Sequence, residues 1–162
     1  MSDELPHTAK VVTVWLLVGV VIFLALQWWQ HQQQQTRFSS RGGVIDIRRA
    51  PDGHYHWPGY INGREVDFLV DTGATSTAIS TDLARELGLE SIGRVQSETA
   101  GGVVSGTVMR ADVTLRGGIV AERLRLTALP RMGDHPLLGM DVLGRLRWTQ
   151  ADGVLRIDTQ AR

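Results

Sequence analysis

The sequence predicts a mostly β domain, a sandwich or closed barrel with one or two short helices, that follows an N-terminal transmembrane helix. Two observations lead to this prediction. From residue 44 onward, many short runs of apolar and β-branched residues are separated by turns containing Gly, Asn or Asp. Before them, residues 11–36 contain no Asp, Glu, Lys or Arg, and the first part of this segment is almost purely apolar.

The composition of the 162-residue chain excludes several functional classes. Lys plus Arg and Asp plus Glu both number 17, which gives a formal net charge of +0. A nucleic-acid-binding protein normally has an excess of basic residues, so we expect no nucleic-acid partner. The absence of cysteine excludes a disulfide scaffold, a Cys-ligated zinc site and a thiol nucleophile.

Residues 11–29 are expected to form the transmembrane helix, after a short flank at residues 1–10. A helix of this length spans roughly 28 Å, close to the hydrocarbon thickness of a bilayer. Trp15, Trp28 and Trp29 suit the membrane interface, where indole rings concentrate. A buried core helix would be amphipathic, and a signal peptide would have a shorter apolar run and a small-residue cleavage site. The pattern therefore favours an uncleaved single-pass anchor in contact with membrane lipid.

Residues 30–43 are polar and glutamine-rich and are expected to be a flexible tether. Such a tether reaches about 20 Å, so the domain at residues 44–162 would work close to the membrane surface. The basic residues that flank the helix, Lys10 before it and Arg37 and Arg41 after it, favour a cytoplasmic domain by a small margin.

The elements of the domain are predicted from its turns and its apolar patterning. Asn62-Gly63 predicts a tight hairpin. Short helices are predicted over residues 81–87, with Ser80 as N-cap, and over residues 140–143. The predicted strands cover residues 44–49, 54–61, 65–70, 77–80, 94–99, 103–115, 119–129, 146–150 and 154–158.

Asp71 is the leading candidate for a catalytic residue. It follows the apolar residues 68–70 at the end of a predicted buried strand, where a carboxylate is costly unless something holds it. Asp71-Thr72-Gly73 by itself is also ordinary turn chemistry, in which Asp begins the turn and Gly supplies a positive φ. The apolar run favours a functional carboxylate, because an ordinary exposed turn does not need to be preceded by apolar residues.

Three segments in order resemble the retropepsin-like aspartic proteases, particularly their small bacterial membrane-anchored branch. Residues 69–77 resemble the catalytic loop, and residues 99–103 resemble the glycine-tipped flap. Residues 137–143 resemble the apolar-apolar-Gly loop and helix beneath the catalytic loop. The resemblance covers most of residues 44–158 and implies a retropepsin-like closed β-barrel.

The resemblance also implies a role for each matching residue. The catalytic residue would be Asp71. The residues that support its loop would be Thr72, Gly73 and Ala74. The flap residues, which bind substrate, would be Ala100, Gly101, Gly102 and Val103. The loop beneath the site would be formed by Leu137, Leu138 and Gly139.

Peptide hydrolysis in this family uses a pair of carboxylates. Two carboxylates about 3 Å apart share one proton, so one can activate a water while the other donates to the developing oxyanion. This chain has a single Asp-Thr-Gly. Asp141 begins a predicted helix, where a carboxylate is ordinary capping, and Asp112 lies within a predicted strand. A homodimer is therefore expected, with Asp71 from each subunit.

Two positions depart from the viral pattern. Retroviral members commonly carry an Asp at the position of Thr75 and an Arg at the position of Met140, and these two residues pair. Both are changed here, so that ion pair cannot form. The change bears on substrate binding and dimer packing, and it does not affect the dyad.

The sequence thus predicts a membrane-anchored, homodimeric aspartic endopeptidase that acts on proteins or peptides near the membrane and needs no cofactor. Family analogy implies the bacterial inner membrane, with the catalytic domain in the periplasm. The alternatives are a non-catalytic dimeric adaptor of the same fold, in which Asp71 serves only loop structure, and a structural membrane assembly factor.

Other catalytic and metal-binding chemistries have weaker support. A serine hydrolase is not expected, because the chain has no Gly-x-Ser-x-Gly segment. His54 and His56 lie two apart on a predicted strand, but no third ligand is evident beside them. We therefore expect no metal site from the sequence.

Overall fold

The structure is a computed structural model that describes residues 7–33, 37–39, 43–99 and 102–159. The chain divides into two compact units, Met1–Gln35 and Thr36–Arg162. The first unit contains helix α1 (His7–Gln33), and the second contains the β domain.

Helix α1 has the length and composition to cross a membrane, over Val11–Trp28. The side chains of this segment are all exposed, and the apolar ones occur on every side, so the helix has no polar face to turn toward water. Both a membrane anchor and a signal sequence have a helix of this kind. Its position agrees with the span predicted at residues 11–29.

The segment predicted as a flexible tether, residues 30–43, contains regular structure at two places. Helix α1 continues to Gln33, and strand β1 (Arg37–Ser39) pairs antiparallel with residues 120–122 of the β domain. Strand pairing uses backbone N–H and C=O groups, so a polar composition does not prevent it.

The remaining elements follow the predicted order. Strand β9 was not predicted, and two predicted strands begin elsewhere, β3 at His56 and not at residue 54, and β6 at Ser91 and not at residue 94. The helices are α2 (Thr81–Glu86) and α3 (Met140–Leu143). The strands are β2 (Val44–Arg48), β3 (His56–Ile61), β4 (Arg64–Val70), β5 (Ala78–Ser80), β6 (Ser91–Thr99), β7 (Gly102–Leu115), β8 (Ile119–Leu129), β9 (Leu137–Leu138), β10 (Arg147–Ala151) and β11 (Val154–Asp158).

Six strands close into a barrel in the order β8-β5-β9-β4-β3-β7, and β7 pairs back onto β8. The pairs β4–β9 and β5–β8 are parallel, whereas β3–β4, β3–β7, β5–β9 and β7–β8 are antiparallel. Closure of this kind leaves no free edge in the barrel itself. The prediction of a mostly β, closed-barrel fold with short helices is therefore confirmed.

The barrel encloses an apolar core. Trp57 of β3 and Phe68 of β4 are cross-strand partners, and both are fully buried. The indole Nε1 of Trp57 donates a hydrogen bond to the carbonyl oxygen of Arg116 at 2.9 Å, so its polar atom is satisfied. Other fully buried side chains are Ile61, Ile79, Leu115, Ile119, Leu126, Leu138 and Leu143.

Strands β10, β11 and β2 form a separate antiparallel sheet with β11 at its centre. Leu155 and Ile157 of β11 are buried, and Arg156 between them is exposed. The Arg156 guanidinium donates two hydrogen bonds to Asp46, at 2.8 and 2.9 Å. The bond from Arg156 lowers the pKa of Asp46. The apolar side of this strand thus faces the core, and its charged side faces solvent.

Local turn and cap signals have the predicted conformations. Asn62 and Gly63 have φ values of 48° and 83°, as a two-residue hairpin turn requires. The hydroxyl of Ser80 accepts a hydrogen bond from the Leu83 amide at 3.1 Å and caps α2. Both local predictions are confirmed.

Strands β6 and β7 form a long antiparallel hairpin that projects from the barrel. The first part of β7 pairs with β6, and its last residues pair with β3. Gly106 of β7 packs closely on β8, since a Cβ at this position would lie 2.8 Å from Leu129 Cδ2. The side chains of β6 are mostly exposed, so this strand is available as one wall of a surface cleft.

Candidate active site

Asp71 lies directly after β4, which is paired on one side with β3 and on the other with β9. Its backbone amide donates to the Leu138 carbonyl at 3.0 Å, so the ladder between β4 and β9 extends to the aspartate itself. Its side chain is half-buried. The carboxylate thus follows a strand that is paired on both sides, in which Phe68 is buried and Leu69 and Val70 are half-buried.

The turn at residues 71–74 orients the Asp71 carboxylate. The Gly73 amide donates to Asp71 Oδ1 at 2.8 Å, and the Ala74 amide donates to the Asp71 carbonyl at 3.3 Å. A Cβ at Gly73 would lie 3.2 Å from Asp71 Oδ1, which is a tight contact. Thr72 is exposed beside the carboxylate. Of the loop residues proposed to support Asp71, Gly73 is the one whose amide touches the carboxylate.

Strand β9 lies beneath the Asp71 loop. Leu137 pairs with Leu69 and Leu138 with Val70, in parallel. Leu138 is fully buried, whereas Leu137 is half-buried and reaches the surface near Asp71. Both residues thus lie beside the end of β4 that leads into Asp71, and their role in supporting the site stays a prediction.

Gly139 allows the segment after β9 to pass against the backbone of the loop. A Cβ at Gly139 would lie 2.5 Å from the Ser76 carbonyl carbon and 2.9 Å from the Thr77 amide nitrogen, so only glycine fits without a shift of the backbone. The next residue, Met140, donates its amide to the Ala74 carbonyl at 2.8 Å. The loop is therefore held by backbone contacts on its inner side.

Asp141 holds the far end of the same loop. Its carboxylate accepts the Thr77 amide with both oxygens, each at 3.0 Å, and the Thr77 hydroxyl at 2.8 Å. It also accepts the Val142 amide at 3.0 Å at the start of α3. The sequence predicted only the second contact, helix capping. The contact with Thr77, which is fully buried, joins residues far apart in the chain, and no local signal marks it.

A cleft of about 710 Å³ opens in front of Asp71. Its two walls come from the Asp71 loop and from β6 of the hairpin, and its floor comes from the barrel. The lining residues are Asp71, Gly73, Ala74, Thr75 and Ser76 of the loop, Val95, Gln96, Ser97 and Glu98 of β6, and Ala78, Thr127, Leu129 and Leu137 of the barrel.

Two of the four predicted flap residues, Gly102 and Val103, are described by the structure. Ala100 and Gly101 lie outside the described residues. Gly102 and Val103 begin β7, where they pair with Thr99 and Glu98, and both are exposed. The described arms of the hairpin thus lead toward the position expected for a flap.

Within the described part of the chain, Asp71 and Glu98 are the carboxylates that line the cleft. Asp112 Oδ1 accepts the Arg123 amide at 2.7 Å on the β7–β8 pair. Asp141 is engaged with Thr77, as described above. Neither Asp112 nor Asp141 takes part in a second turn like that of residues 71–74, which agrees with the sequence expectation.

The sequence matches the family described as gag-polyprotein putative aspartyl protease over residues 57–145. The matched range begins in β3 and ends just after α3, so it contains the Asp71 loop, the β6–β7 hairpin and the segment beneath the loop.

Two known proteins resemble the chain over most of its length. An uncharacterised protein of Rickettsia prowazekii is 27% identical over 124 residues, which cover 75% of this chain and 53% of that protein. The chain therefore spans about half the length of this curated relative. The crystal structure of a retropepsin-like aspartic protease from Rickettsia conorii has a similar fold, with a TM-score of 0.58 and 22% identity over 76% of this chain and 96% of that chain. Since the family match spans residues 57–145 of 162 and the barrel has the retropepsin-like fold, the chain belongs to the family of gag-polyprotein putative aspartyl proteases.

Proposed function

We propose that this protein is a membrane-anchored aspartic endopeptidase that hydrolyses peptide bonds of proteins close to the membrane. The observation that supports it most strongly is the setting of Asp71. This carboxylate ends an interior strand, is oriented by the Gly73 amide and lines an open cleft. Membership of an aspartyl protease family supports a role for this carboxylate in peptide hydrolysis.

Peptide hydrolysis at this site requires a second carboxylate that shares one proton with the first. The charged carboxylate accepts a proton from water as the water oxygen attacks the peptide carbonyl carbon. The protonated carboxylate donates its proton to the carbonyl oxygen, so no free oxyanion accumulates. When the tetrahedral diol collapses, the C–N bond breaks, the leaving amine takes the proton of the protonated carboxylate, and a hydroxyl of the diol gives its proton to the charged one, which regenerates the dyad.

The second carboxylate in this proposal is Asp71 of another copy of the chain. One chain supplies one Asp-Thr-Gly loop, and a two-fold axis beside it would bring two such loops together. Thr72 is exposed next to Asp71, where it can form a hydrogen bond across that axis. Confinement of both copies to a membrane by their helices would raise their effective concentration.

An extended peptide is the substrate that suits the cleft. Strand β6 lies at the end of the strand order, so one of its edges has no strand partner among the described residues. Such an edge can pair with the backbone of an extended segment. In the proposal, Ala100, Gly101, Gly102 and Val103 cover this peptide as a flap and exclude water from the dyad.

Replacement of Asp71 tests the catalytic proposal. The full chain in detergent would be incubated with a peptide library over a range of acidic to neutral pH. Wild type is expected to cleave with a bell-shaped pH profile, because one carboxylate must be charged and the other protonated. Asp71→Asn is nearly isosteric and is expected to lower the rate by at least about 100-fold.

Asp152→Asn is the matched control for this change. Asp152 is exposed in the β10–β11 turn with a φ of 50°, a conformation that asparagine adopts readily. This variant should cleave like wild type. Undiminished cleavage by Asp71→Asn would rule out the proposed mechanism, and a wild-type protein that binds peptides without cleaving them would favour the dimeric adaptor instead.

We place the protein in a bacterial inner membrane with the β domain in the periplasm, on the basis of the family resemblance and of helix α1. The flanking basic residues favour the opposite orientation by a small margin. Alkaline phosphatase fused after Arg162 folds only outside the cytoplasm and is therefore expected to be active. The same fusion without residues 1–33 is the control and should be inactive. An inactive full-length fusion at normal expression would reverse the orientation.

A further inference from the structure

A second group of ionisable side chains lies outside the Asp71 cleft. His56 belongs to β3, Asp67 to β4, and His135 to the loop before β9. One ligand atom from each of the three lies within 4.8 Å of the others. None of the three lines the cleft in front of Asp71.

The distances within this group are close to those of a tetrahedral metal site. Asp67 Oδ2 lies 2.7 Å from His56 Nδ1 and 3.8 Å from His135 Nδ1. A tetrahedral zinc ion with bonds of about 2.0–2.2 Å holds its ligand atoms about 3.3–3.6 Å apart. The two measured distances lie on either side of this range, and all three ligand atoms lie within 4.8 Å of one another. The imidazole rings are nearly perpendicular, with centroids 5.0 Å apart, and can approach one ion from different directions.

The group also has the outer contacts typical of a metal site. Asp52 Oδ2 lies 2.8 Å from His56 Nε2, on the side of the ring away from Asp67. Metal-bound histidines commonly donate their second nitrogen to a carboxylate, which directs the other nitrogen toward the metal. His135 Nδ1 has an alternative contact, 3.3 Å from the Asp67 carbonyl oxygen, which it would give up on binding an ion.

Asp67 carries a polar atom that the protein does not satisfy. Its Oδ1 is buried and has no hydrogen-bond partner in the described part of the chain. A buried carboxylate oxygen without a partner is unfavourable, and a bound cation or its water would supply one.

We propose that His56, Asp67 and His135 bind one divalent transition-metal ion, with a water as fourth ligand and Asp52 supporting His56. Two imidazoles and a carboxylate suit Zn²⁺ better than Mg²⁺ or Ca²⁺, which prefer oxygen ligands. With neutral histidines, the carboxylates of Asp67 and Asp52 carry the negative charge that a divalent cation requires. Asp67 and His135 also line a separate cleft of about 420 Å³, through which an ion can enter from solvent.

The ion would connect two strands and a loop that lead into the Asp71 region. Asp67 lies within β4, the strand that leads into Asp71, and His135 lies just before Leu137 of β9. We therefore assign the ion a structural task and no part in peptide hydrolysis. The inference is independent of the proposed function, and it can be tested in the Asp71→Asn protein.

Zinc titration of the full chain tests the site. The protein, purified in detergent without a histidine tag and stripped with EDTA, would be titrated with Zn²⁺ by calorimetry, and its metal content measured after dialysis. One equivalent is expected to bind and to raise the Tm. His135→Gln, in an exposed loop, is expected to weaken binding at least about 100-fold, and Asp52→Asn about 10- to 100-fold.

His54→Gln is the matched control, because His54 is exposed two residues before His56 in the same part of the chain. This variant should bind Zn²⁺ like wild type. Co²⁺ bound in place of zinc should give the intense visible absorption of a four-coordinate ion in wild type and His54→Gln, and not in His135→Gln. Absence of stoichiometric binding, or equal binding by His135→Gln, would overturn the assignment and leave a hydrogen-bonded cluster of His56 with Asp52 and Asp67.

Discussion

Two aspartates have different tasks near the cleft. Asp71 lines the cleft and is free to face a substrate with its carboxylate oriented by one amide, that of Gly73. Asp141 accepts hydrogen bonds from the amide and the hydroxyl of Thr77 and so holds the end of the loop that begins at Asp71. Asp141 is a positioning residue, because it acts on Asp71 through the loop.

Replacement of Asp141 should separate stability from catalysis. Asp141→Ala leaves the amide of buried Thr77 without an acceptor, which we expect to lower the free energy of unfolding by about 2–3 kcal/mol. Asp141→Asn keeps one acceptor oxygen and should cost less. Urea unfolding followed by circular dichroism measures both effects. If Asp141→Ala were as stable as wild type, the contact with Thr77 would not contribute as the geometry indicates.

At the scale of elements, the Asp71 loop depends on how closely β9 and α3 approach it. The approach is possible because Gly139 has no side chain and the Ser76 backbone occupies the space where a Cβ would be. Met140 then reaches the Ala74 carbonyl with its amide. The loop between β4 and β5 is thus held by the segment between β9 and α3. A backbone shift in either segment would disturb the other.

Gly139→Ala should therefore destabilise the protein more than an ordinary substitution of glycine. The added Cβ would lie 2.5 Å from a backbone atom, and we expect a loss of about 1–3 kcal/mol together with lower activity. Gly133→Ala is the control, since a Cβ there would have no neighbour within 4 Å. Thermal unfolding of the two variants makes the comparison. Equal melting temperatures would show that the approach of the two loops can relax at little cost.

At the scale of the whole molecule, the proposed dyad needs two chains. Each chain carries one Asp-Thr-Gly loop, so a single chain holds half of the proposed catalytic machinery. A helix that anchors each chain in a membrane would favour the pairing by confining the chains to one layer.

Mixing wild type with Asp71→Asn tests this requirement. At equal amounts and constant total protein, random exchange leaves about a quarter of the dimers with two wild-type chains. Activity should therefore fall to about a quarter, and not to the half expected if each chain acted alone. Mixing with Asp152→Asn should leave the activity unchanged. Activity in proportion to the wild-type fraction would contradict a shared dyad.

Local features of the molecule follow from the sequence by itself. The Asn62-Gly63 hairpin, the Ser80 cap and the apolar helix at residues 11–29 depend on neighbouring residues, whose conformational and solvation preferences act over a few positions. The resemblance of residues 69–77 to a retropepsin-like catalytic loop could also be recognised from the sequence, because these residues form one continuous segment. Turn and cap chemistry therefore indicated the elements and the position of Asp71.

Contacts between distant parts of the chain were decided only by the tertiary structure. Barrel closure joins β7 and β8 to strands far earlier in the chain, and it brings Asp141 to Thr77 and His135 to Asp67. No local signal marks these pairs, because they depend on strand order and register. The sequence offered His54 as the companion of His56, whereas the fold places Asp67 and His135 beside that ring, since strand pairing and loop packing determine which side chains converge.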